Sequence, residues 1–584
     1  MEPVVGIDLG TTNSEIAFII DGNAKVLKDK DNGIVPSCVG LDNQGNIITG
    51  VEARNQAAIA PNRTVLSVKR SMGSETKFQM NDSSYLPQEI SAFILKALKQ
   101  RAEKLLDKKI SKAVITVPAY FTDAQRQATR DAGAIAGLDV IRIINEPTAA
   151  ALAYESTNPK NQRILVYDLG GGTFDVSIVK IEQGIVEVLS STGDNHLGGD
   201  DFDQKIVDLL VEHIEKELKL TVAGDPVVMA RLKHAAEKAK ITLSSEPYAG
   251  IEEDHIGKKA FKDIHLSFEL SRTDFDMMIE DALIRTMESV NKALKDASSL
   301  PSAIDTIILV GGSTRIPKIS DMLEEKFNII PHSEIDPDLC VAIGAAIQAG
   351  REMGLDSSSV LLDITPYTFG TSAVDELDGI THMHKFVPLI RRNTKLPANK
   401  SEAFYTMVDD QEKVEIKIFQ GENPDALDNI LLGKYIFNLT RAPAGSVIIL
   451  NFDLDLNGIL KIQAVEKKTG KKINAVIENA FSRFTDLELS ASKERIESEW
   501  GSPEGVAEES EVSSETETEI DQGMPADLAE TIKQAESQLD AAPSEDRDEI
   551  INLIEDIRDA VKEKDLDKAG KLREELEDIL FYLE

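Results

Sequence analysis

Cysteine is nearly absent from this 584-residue chain: only Cys38 and Cys340 occur, far apart in sequence. Neither a disulfide framework nor a cysteine zinc site is available, and buried thiols in a reducing compartment are expected. The eight histidines show no pair at metal-ligand spacing, and His196 in NHLGG reads as a loop hydrogen-bonder. No apolar run reaches the ~18 residues of a membrane span, and Val4 opens a strand with no basic and apolar leader before it, so a cytoplasmic protein is expected. Positive charge is also short. The 64 Lys and Arg face 101 Asp and Glu, a net charge of −37 that argues against nucleic acid or an anionic membrane as a general partner.

The acidity is concentrated. Residues 501–525 hold eight acidic and no basic side chains, and residues 526–584 hold 19 acidic against eight basic. About half of the net charge therefore follows Trp500, and the body of the chain has ordinary composition.

That body divides by pattern. Residues 1–354 alternate apolar strands with helical stretches such as LKALKQRAEKLLD from Leu95, the mark of an α/β domain. Residues 355–364 read as an interdomain linker whose Val360, Leu361 and Leu362 dock on a partner surface, with a first buried strand of the next domain as the alternative. Residues 365–484 turn to period two, and Asn457-Gly458 is a hairpin signal, so an all-β sandwich is expected. Residues 485–500 suit a short helix ending at Trp500. Residues 501–525 are too acidic to fold by themselves. Residues 526–584 carry three apolar stripes: Leu528, Ile532, Ala535, Leu539; Ile550, Ile554, Ile557, Val561; and Leu572, Leu576, Ile579, Leu583. These predict a small three-helix bundle.

Three loops carry the chemistry. VYDLGGGTFD at Val166 ends an apolar strand in Asp168, three glycines, Thr173 and Asp175. Glycines let backbone N–H groups approach a phosphate, and an acidic pair can hold the hydrated Mg²⁺ that reconciles carboxylates with phosphates. A tight β-turn is the competing reading. The same plan occurs at Val4: Asp8, Leu9, Gly10, Thr11, Thr12 and Asn13 fall on the second loop after a shift of 160 residues, which points to a duplicated α/β domain whose halves face one nucleotide. ILVGGSTRIP, from Ile308, ends a third strand in Gly311, Gly312 and Ser313 before a helix, with Arg315 placed to stack on a base. None of these matches G-x-x-x-x-G-K-[ST] or G-x-G-x-x-G, which argues against a P-loop NTPase or a Rossmann dehydrogenase.

Seven motifs in order carry a resemblance: VGIDLGTTNS at Val5, TVPAYFTDAQRQATRDAG at Thr116, IINEPTAAALAY at Ile143, VYDLGGGTFDVS at Val166, HLGGDDFD at His196, EKAKITLSS at Glu237 and ILVGGSTRIP at Ile308. Together they resemble the Hsp70 chaperone family, of the DnaK type, over about residues 1–500. The resemblance implies a two-lobed actin-like ATPase domain, a peptide-binding β-sandwich and a helical lid, with ATP or ADP, Mg²⁺ and a candidate K⁺ as cofactors.

By motif position, the resemblance implies that Asp8, Asp168 and Asp175 surround Mg²⁺, largely through its waters. Gly10, Thr11, Thr12, Asn13, Gly170, Gly171 and Gly172 would hold the phosphates, with Gly198 and Gly199 beside them. Lys69, Glu146, Asp168 and Thr173 would be catalytic. Glu237, Lys240, Ser244, Gly311, Gly312, Ser313, Arg315 and Asp338 would surround the adenosine. Phosphoryl transfer needs positioning and electrostatics rather than a covalent nucleophile, which agrees with the want of a Ser-His-Asp or Cys-His arrangement. Pro118, Arg126, Val360, Leu361, Leu362 and Asp363 would couple the domains. Thr371, Val374, Phe404, Met407 and Val414 would line a cleft for extended hydrophobic peptides, though each also fits a sandwich core.

A J-domain co-chaperone and a nucleotide-exchange factor are the partners implied. The stretch from Lys69 to Pro87 is short, as in compact DnaK-type domains; the linker shows one apolar residue fewer than the family's usual four; and the lid is broken near Trp500. No EEVD-like end follows Glu584, so partners reading such a tail are not expected. A binding protein for one dedicated partner, with the ATPase as a slow timer, is the alternative function. A sugar or acetate kinase is a remoter one.

Overall fold

The computed structural model describes residues 3–500 apart from 31, 82, 260–261, 333–335, 356–359, 378–379 and 477–485, together with residues 525, 528, 531–532, 535, 553, 557, 560, 568–573 and 576. The acidic segment 501–525, except Pro525, and most of the expected terminal bundle lie outside the described residues. The chain divides into two compact units, Met1–Trp500 and Gly501–Glu584.

The first unit begins with two α/β lobes built on one plan. In lobe I the sheet order is Asp139–Asn145, Lys112–Val117, Val4–Leu9, Asn13–Ile20, Asn23–Val26, with Ile34–Pro36 paired to Asn13–Ile20. In lobe II it is Thr306–Val310, Gln162–Leu169, Phe174–Glu182, Ile185–Asp194, Val360–Leu362. Each lobe thus has a central antiparallel hairpin flanked by a parallel strand. Val4–Leu9 and Gln162–Leu169 read as continuous apolar runs because helices cover both faces of these sheets, and their side chains are buried almost throughout. The Ala-rich helix Glu146–Thr157 and the helix Cys340–Glu352 pack together between the two sheets, small side chains allowing close approach.

Val360–Leu362 does not open the next domain. It adds a parallel strand to the edge of lobe II, with Val360 opposite Ile185 and Leu362 opposite Glu187.

The β-domain follows as two four-stranded antiparallel sheets. One has the order Ile380–Ile390, Phe369–Leu377, Lys413–Gln420, Ile430–Asn438; the other Ala398–Tyr405, Val447–Leu454, Leu460–Glu466, Lys472–Val476. Phe369, Ile418, Phe437, Phe452 and Leu460 fill the space between them. At the expected hairpin Gly458 takes φ +77° and Asp455 closes the turn with Ile459.

The helix Asp486–Glu499 leaves the sandwich and packs on lobe I, against helices Pro87–Leu106 and Asp123–Ile135. Ile496 is fully buried there, Trp500 stacks on Phe93 at 5.9 Å, and Lys96 pairs with Glu497 at 2.7 Å. Glu89 receives Ser492 Oγ at 2.8 Å and pairs with Arg495.

In the second unit Leu528, Ile532 and Ala535 are helical and buried, as are Leu553, Ile557, Ala560 and Leu576. Leu553 and Ala560 mark the inward face of the middle stretch. Ile557 is the described residue it shares with the expected stripe, whose other members lie outside the described residues.

Candidate functional site: a charged cavity between two lobes

Asp8 is the last residue but one of the strand Val4–Leu9, and its register partner across the hairpin is Glu15. Thr116, from the parallel neighbour, donates its hydroxyl to Asp8 at 2.6 Å. In lobe II the equivalent register pairs Asp168 with Asp175. Asp8 and Asp168 open onto a common cavity of about 90 Å³, together with Gly10, Thr11, Thr12, Asn13, Lys69, Glu146, Gly170, Gly171, Thr173, Gly311, Gly312 and Asp338. Asp175 is turned away from it: the N–H groups of Ala119 and Tyr120 donate to its carboxylate at 2.9 and 3.2 Å.

Charge in this cavity is held at high cost. Lys69 and Glu146 form a buried ion pair at 2.5 Å. Burial raises Glu146 to about 7 against the pull of Lys69, while burial disfavours the charge on Lys69 but the carboxylates of Glu146, Asp8 and Asp168 outweigh it and raise Lys69 above its usual range. Burial and the neighbouring Glu146 and Asp175 carboxylates push Asp168 well above the carboxylate range. Asp168 accepts no hydrogen bond from the described residues. An uncompensated buried carboxylate beside a second, raised one is the donor set that suits a hydrated divalent cation, so the residues present fit Mg²⁺.

The loops approach one another through backbone. A Cβ on Gly198 would stand 2.5 Å from the main chain of Gly171 and Gly172, and Gly311, at φ +81°, would place one 2.6 Å from Leu169 O. Ser313 Oγ donates to Gly170 O at 2.9 Å and Gly199 N to the same oxygen at 3.0 Å. The glycine loops thus meet main chain to main chain, a close approach of the kind that phosphate recognition by backbone uses.

The expected adenosine residues are brought together only in part. Glu237 lines a separate cavity of about 250 Å³ and pairs with Arg54 of lobe I at 2.5 Å. Lys240 is committed to Asp203 at 2.8 Å and to Gly199 O at 3.1 Å, while Ser244, one turn on, donates to Lys240 O. Arg315 is held by Asp338 at 2.7 Å and Asp336 at 2.8 Å. Arg54–Glu237, Ser67–Asp200 at 2.6 Å and Arg70–Asp201 at 2.9 Å all cross from lobe I to lobe II. A cavity of this size is below the ~300–1,000 Å³ of ligand pockets. The three bridges tie the two lobes together.

Several of these residues carried no local signal: Arg54, Thr116 and Asp203, whose carboxyl burial lifts to about 6, and Glu15, buried at the cavity wall. The HLGGDDFD motif contained Asp203 but gave no reason to single it out.

A hydrogen-bonded path leads from the cavity to the linker. Ala119, whose N–H holds Asp175, accepts from Arg126 at 2.9 Å. Arg126 also donates to Asn145 Oδ1 at 2.6 Å, and Asn145 Nδ2 donates to Asp363 at 3.0 Å. Asn145 precedes Glu146, and Pro118 begins the turn that carries Ala119 and closes on Phe121. The β-domain meets the same ground: Tyr367 donates to Tyr120 O at 2.6 Å, Ile143 N to Asn457 at 3.2 Å, and Arg392 pairs with Asp296 at 2.8 Å.

The expected cleft residues of the β-domain are spread. Thr371 is buried and its hydroxyl serves Lys417 O at 2.7 Å. Phe404 and Val414 lean on the sandwich core, Val374 is half-buried, and Met407 stands 66% exposed beside Tyr405 and Val408.

The family model described as Hsp70 protein matches residues 4–583. The chain is 44% identical over 485 residues to the chaperone protein DnaK of Thermosipho melanesiensis, covering 82% of this chain and 80% of that one.

Proposed function

The chain belongs to the Hsp70 family, and we propose that its two-lobed ATPase switches the β-domain between fast and slow peptide exchange through the path from Asp175 to Asp363. It is an Hsp70-type chaperone and an ATPase, built from an actin-like domain and a β-sandwich. The finer assignments are ours. Asp8 and Asp168, with Asp175 behind them, would hold Mg²⁺, which neutralises charge on the β- and γ-phosphates when bound. Lys69 keeps a positive charge beside the attacking water because Glu146 pins its ammonium, and Thr173 gives a hydroxyl to the γ-phosphate. Backbone N–H groups of the Gly10 and Gly170–Gly172 loops orient the phosphates; Glu237, Lys240, Ser244, Gly312, Arg315 and Asp338 border the adenosine.

One observation carries the coupling: Asp363, at the end of the docked linker strand, is tied by Asn145 and Arg126 to the loop that holds Asp175. Burial raises Asp363, and hydrogen bonds from Ile364 N–H and Asn145 with the charge of Arg126 favour its ionised form, so its contacts are lost when the linker leaves. Binding differences of this kind between two states are what coupling requires. Thr371, Val374, Phe404, Met407 and Val414 are proposed as the peptide-contacting set, and residues 526–584 as a reduced helical lid. J-domain and exchange-factor partners are proposed with them.

The test is the dissociation rate of a fluorescent hydrophobic peptide from the full-length protein. Release at least tenfold faster in ATP than in ADP is expected, with Asp363→Ala lowering that ratio several-fold. Equal rates in both nucleotides would remove the switch and leave a binding protein for a dedicated partner.

A further inference from the structure

A second cavity, of about 750 Å³, shares a wall with the catalytic one. Neighbouring residues face opposite sides of that wall. Lys69 and Thr173 line the catalytic cavity, whereas Arg70 and Phe174 line the larger chamber. The wall is one side chain thick: a Cβ on Gly172 would stand 2.8 Å from Arg70 Cγ, and one on Gly193 would stand 2.4 Å from an Asp175 carboxylate oxygen.

The chamber is supplied with cations. Arg70 reaches it from lobe I, and Arg285 and Lys292 from the helix Arg272–Asp296. Asp194, 3.7 Å from Arg285, and Glu288 also line it, and Arg70 is held by Asp201 at 2.9 Å. Lys292 has no ion pair among the described residues. The β-domain closes one side through Tyr367 and Ile430.

We propose that this chamber is the exit for inorganic phosphate and that Arg70 is its gate. The exit presupposes the hydrolytic site proposed above. After hydrolysis ADP lies across the route by which ATP came in, and the Arg54–Glu237 and Ser67–Asp200 bridges close that side. The phosphate dianion, beside Lys69, has the Arg70 guanidinium as its next cation, a fork suited to oxyanions. Arg70 exchanges Asp201 for phosphate and swings with it into the chamber, where Lys292 is next. Tyr367 and Ile430 line one side of this open chamber, so undocking of the β-domain widens the way out.

Single turnover of ATP by the full-length chain tests this, with hydrolysis followed by acid quench and release by a fluorescent phosphate-binding sensor. Ser289→Trp fills the chamber from a position remote from the nucleotide; it should slow release at least fivefold relative to hydrolysis and leave the quench trace unchanged. Lys292→Glu, on an exposed side chain that tolerates exchange, should slow release at least twofold. Arg70→Ala should shorten the lag between hydrolysis and release at least threefold. Release that keeps the parent's ratio to hydrolysis in Ser289→Trp and Lys292→Glu overturns the exit. A parent that shows no hydrolysis in the quench sinks the catalytic assignment instead, so the two failures are distinguishable.

Discussion

In lobe I the hairpin from Val4 to Ile20 sets Asp8 across from Glu15, whereas in lobe II the hairpin from Gln162 to Glu182 sets Asp168 across from Asp175. The flanking parallel strands diverge as well. Lys112–Val117 runs into the Pro118–Phe121 turn, which reaches over to hold Asp175; Thr306–Val310 runs into Gly311, which presses its backbone against Leu169 and Gly170. Lobe I therefore contributes the buried cation Lys69 with Glu146, Asp8 and Thr116, whereas lobe II sets Asp168, Thr173 and Asp338 among loops that meet main chain to main chain. The outer surfaces follow the same division: lobe I receives the helix Asp486–Glu499, and lobe II the linker strand Val360–Leu362. One duplicated frame has become the source of the buried cation on one side and of close main-chain packing on the other.

The strongest way to break that contrast is to remove the charge. Lys69→Ala should lower kcat for ATP hydrolysis by ~10²–10³, the loss typical of one preorganised electrostatic group, and leave Glu146 an unpaired buried carboxylate. Thr173→Ala should give a loss of the same order. Unchanged turnover in both would sink the catalytic assignment. Removing shape comes next. Gly198→Ala puts a methyl 2.5 Å from the Gly171–Gly172 backbone, which cannot yield as a side-chain tip would, so ATP affinity should fall roughly tenfold or more. Gly224→Ala, where nothing lies within 4 Å, should leave affinity as it was. Isothermal titration of both variants decides the point.

These two residue classes also differ in how far the sequence reveals them. The Asp-Gly-hydroxyl loops are legible because a strand end, a glycine run and an internal echo are local patterns, and the sandwich is legible because period two and Asn457-Gly458 are local too. Arg54–Glu237 spans 183 positions and Lys96–Glu497 spans 401, so no periodicity connects them. Glu89 and Lys96 are polar residues on a helix that would pass for a wetted face, yet the helix Asp486–Glu499 covers them with Ser492, Arg495 and Glu497. Phe404 and Met407 are indistinguishable by pattern, but one rests on the core and the other is exposed because the strand ends at Tyr405 between them.

Asp203 sharpens the comparison from lobe II, where a carboxylate is tolerated at a cost. Its pKa is about 6, against 3.8 as an ordinary value, because burial outweighs the attraction of Lys240. The folded chain thus keeps a proton that the unfolded chain has released. The stability contribution of this group therefore falls as pH rises from about 4 to about 6 and is level above that, by up to roughly 3 kcal/mol. Asp203→Asn should erase this slope, so its unfolding midpoint in denaturant should gain on the parent's as pH rises through that window. Parallel curves would mean that Lys240 compensates fully.

The smallest effect belongs to the outer face of lobe I. Trp500 stacks on Phe93 at 5.9 Å with the Lys96 ammonium 5.7 Å from its ring, contacts worth about 0.5–1.5 kcal/mol beyond the area they bury. As the sole tryptophan it reports its own surroundings. Trp500→Ala should lower the midpoint of the transition that frees this helix by a few degrees, with hydrolysis unchanged, because no cavity residue touches it. If charge and helix docking are both properties of lobe I alone, cutting the Val360–Leu362 pairing by Leu361→Asp should leave the fluorescence of Trp500 as it was. A shift of that fluorescence would show that the two outer surfaces act together, and that the division between the lobes ends at their rims.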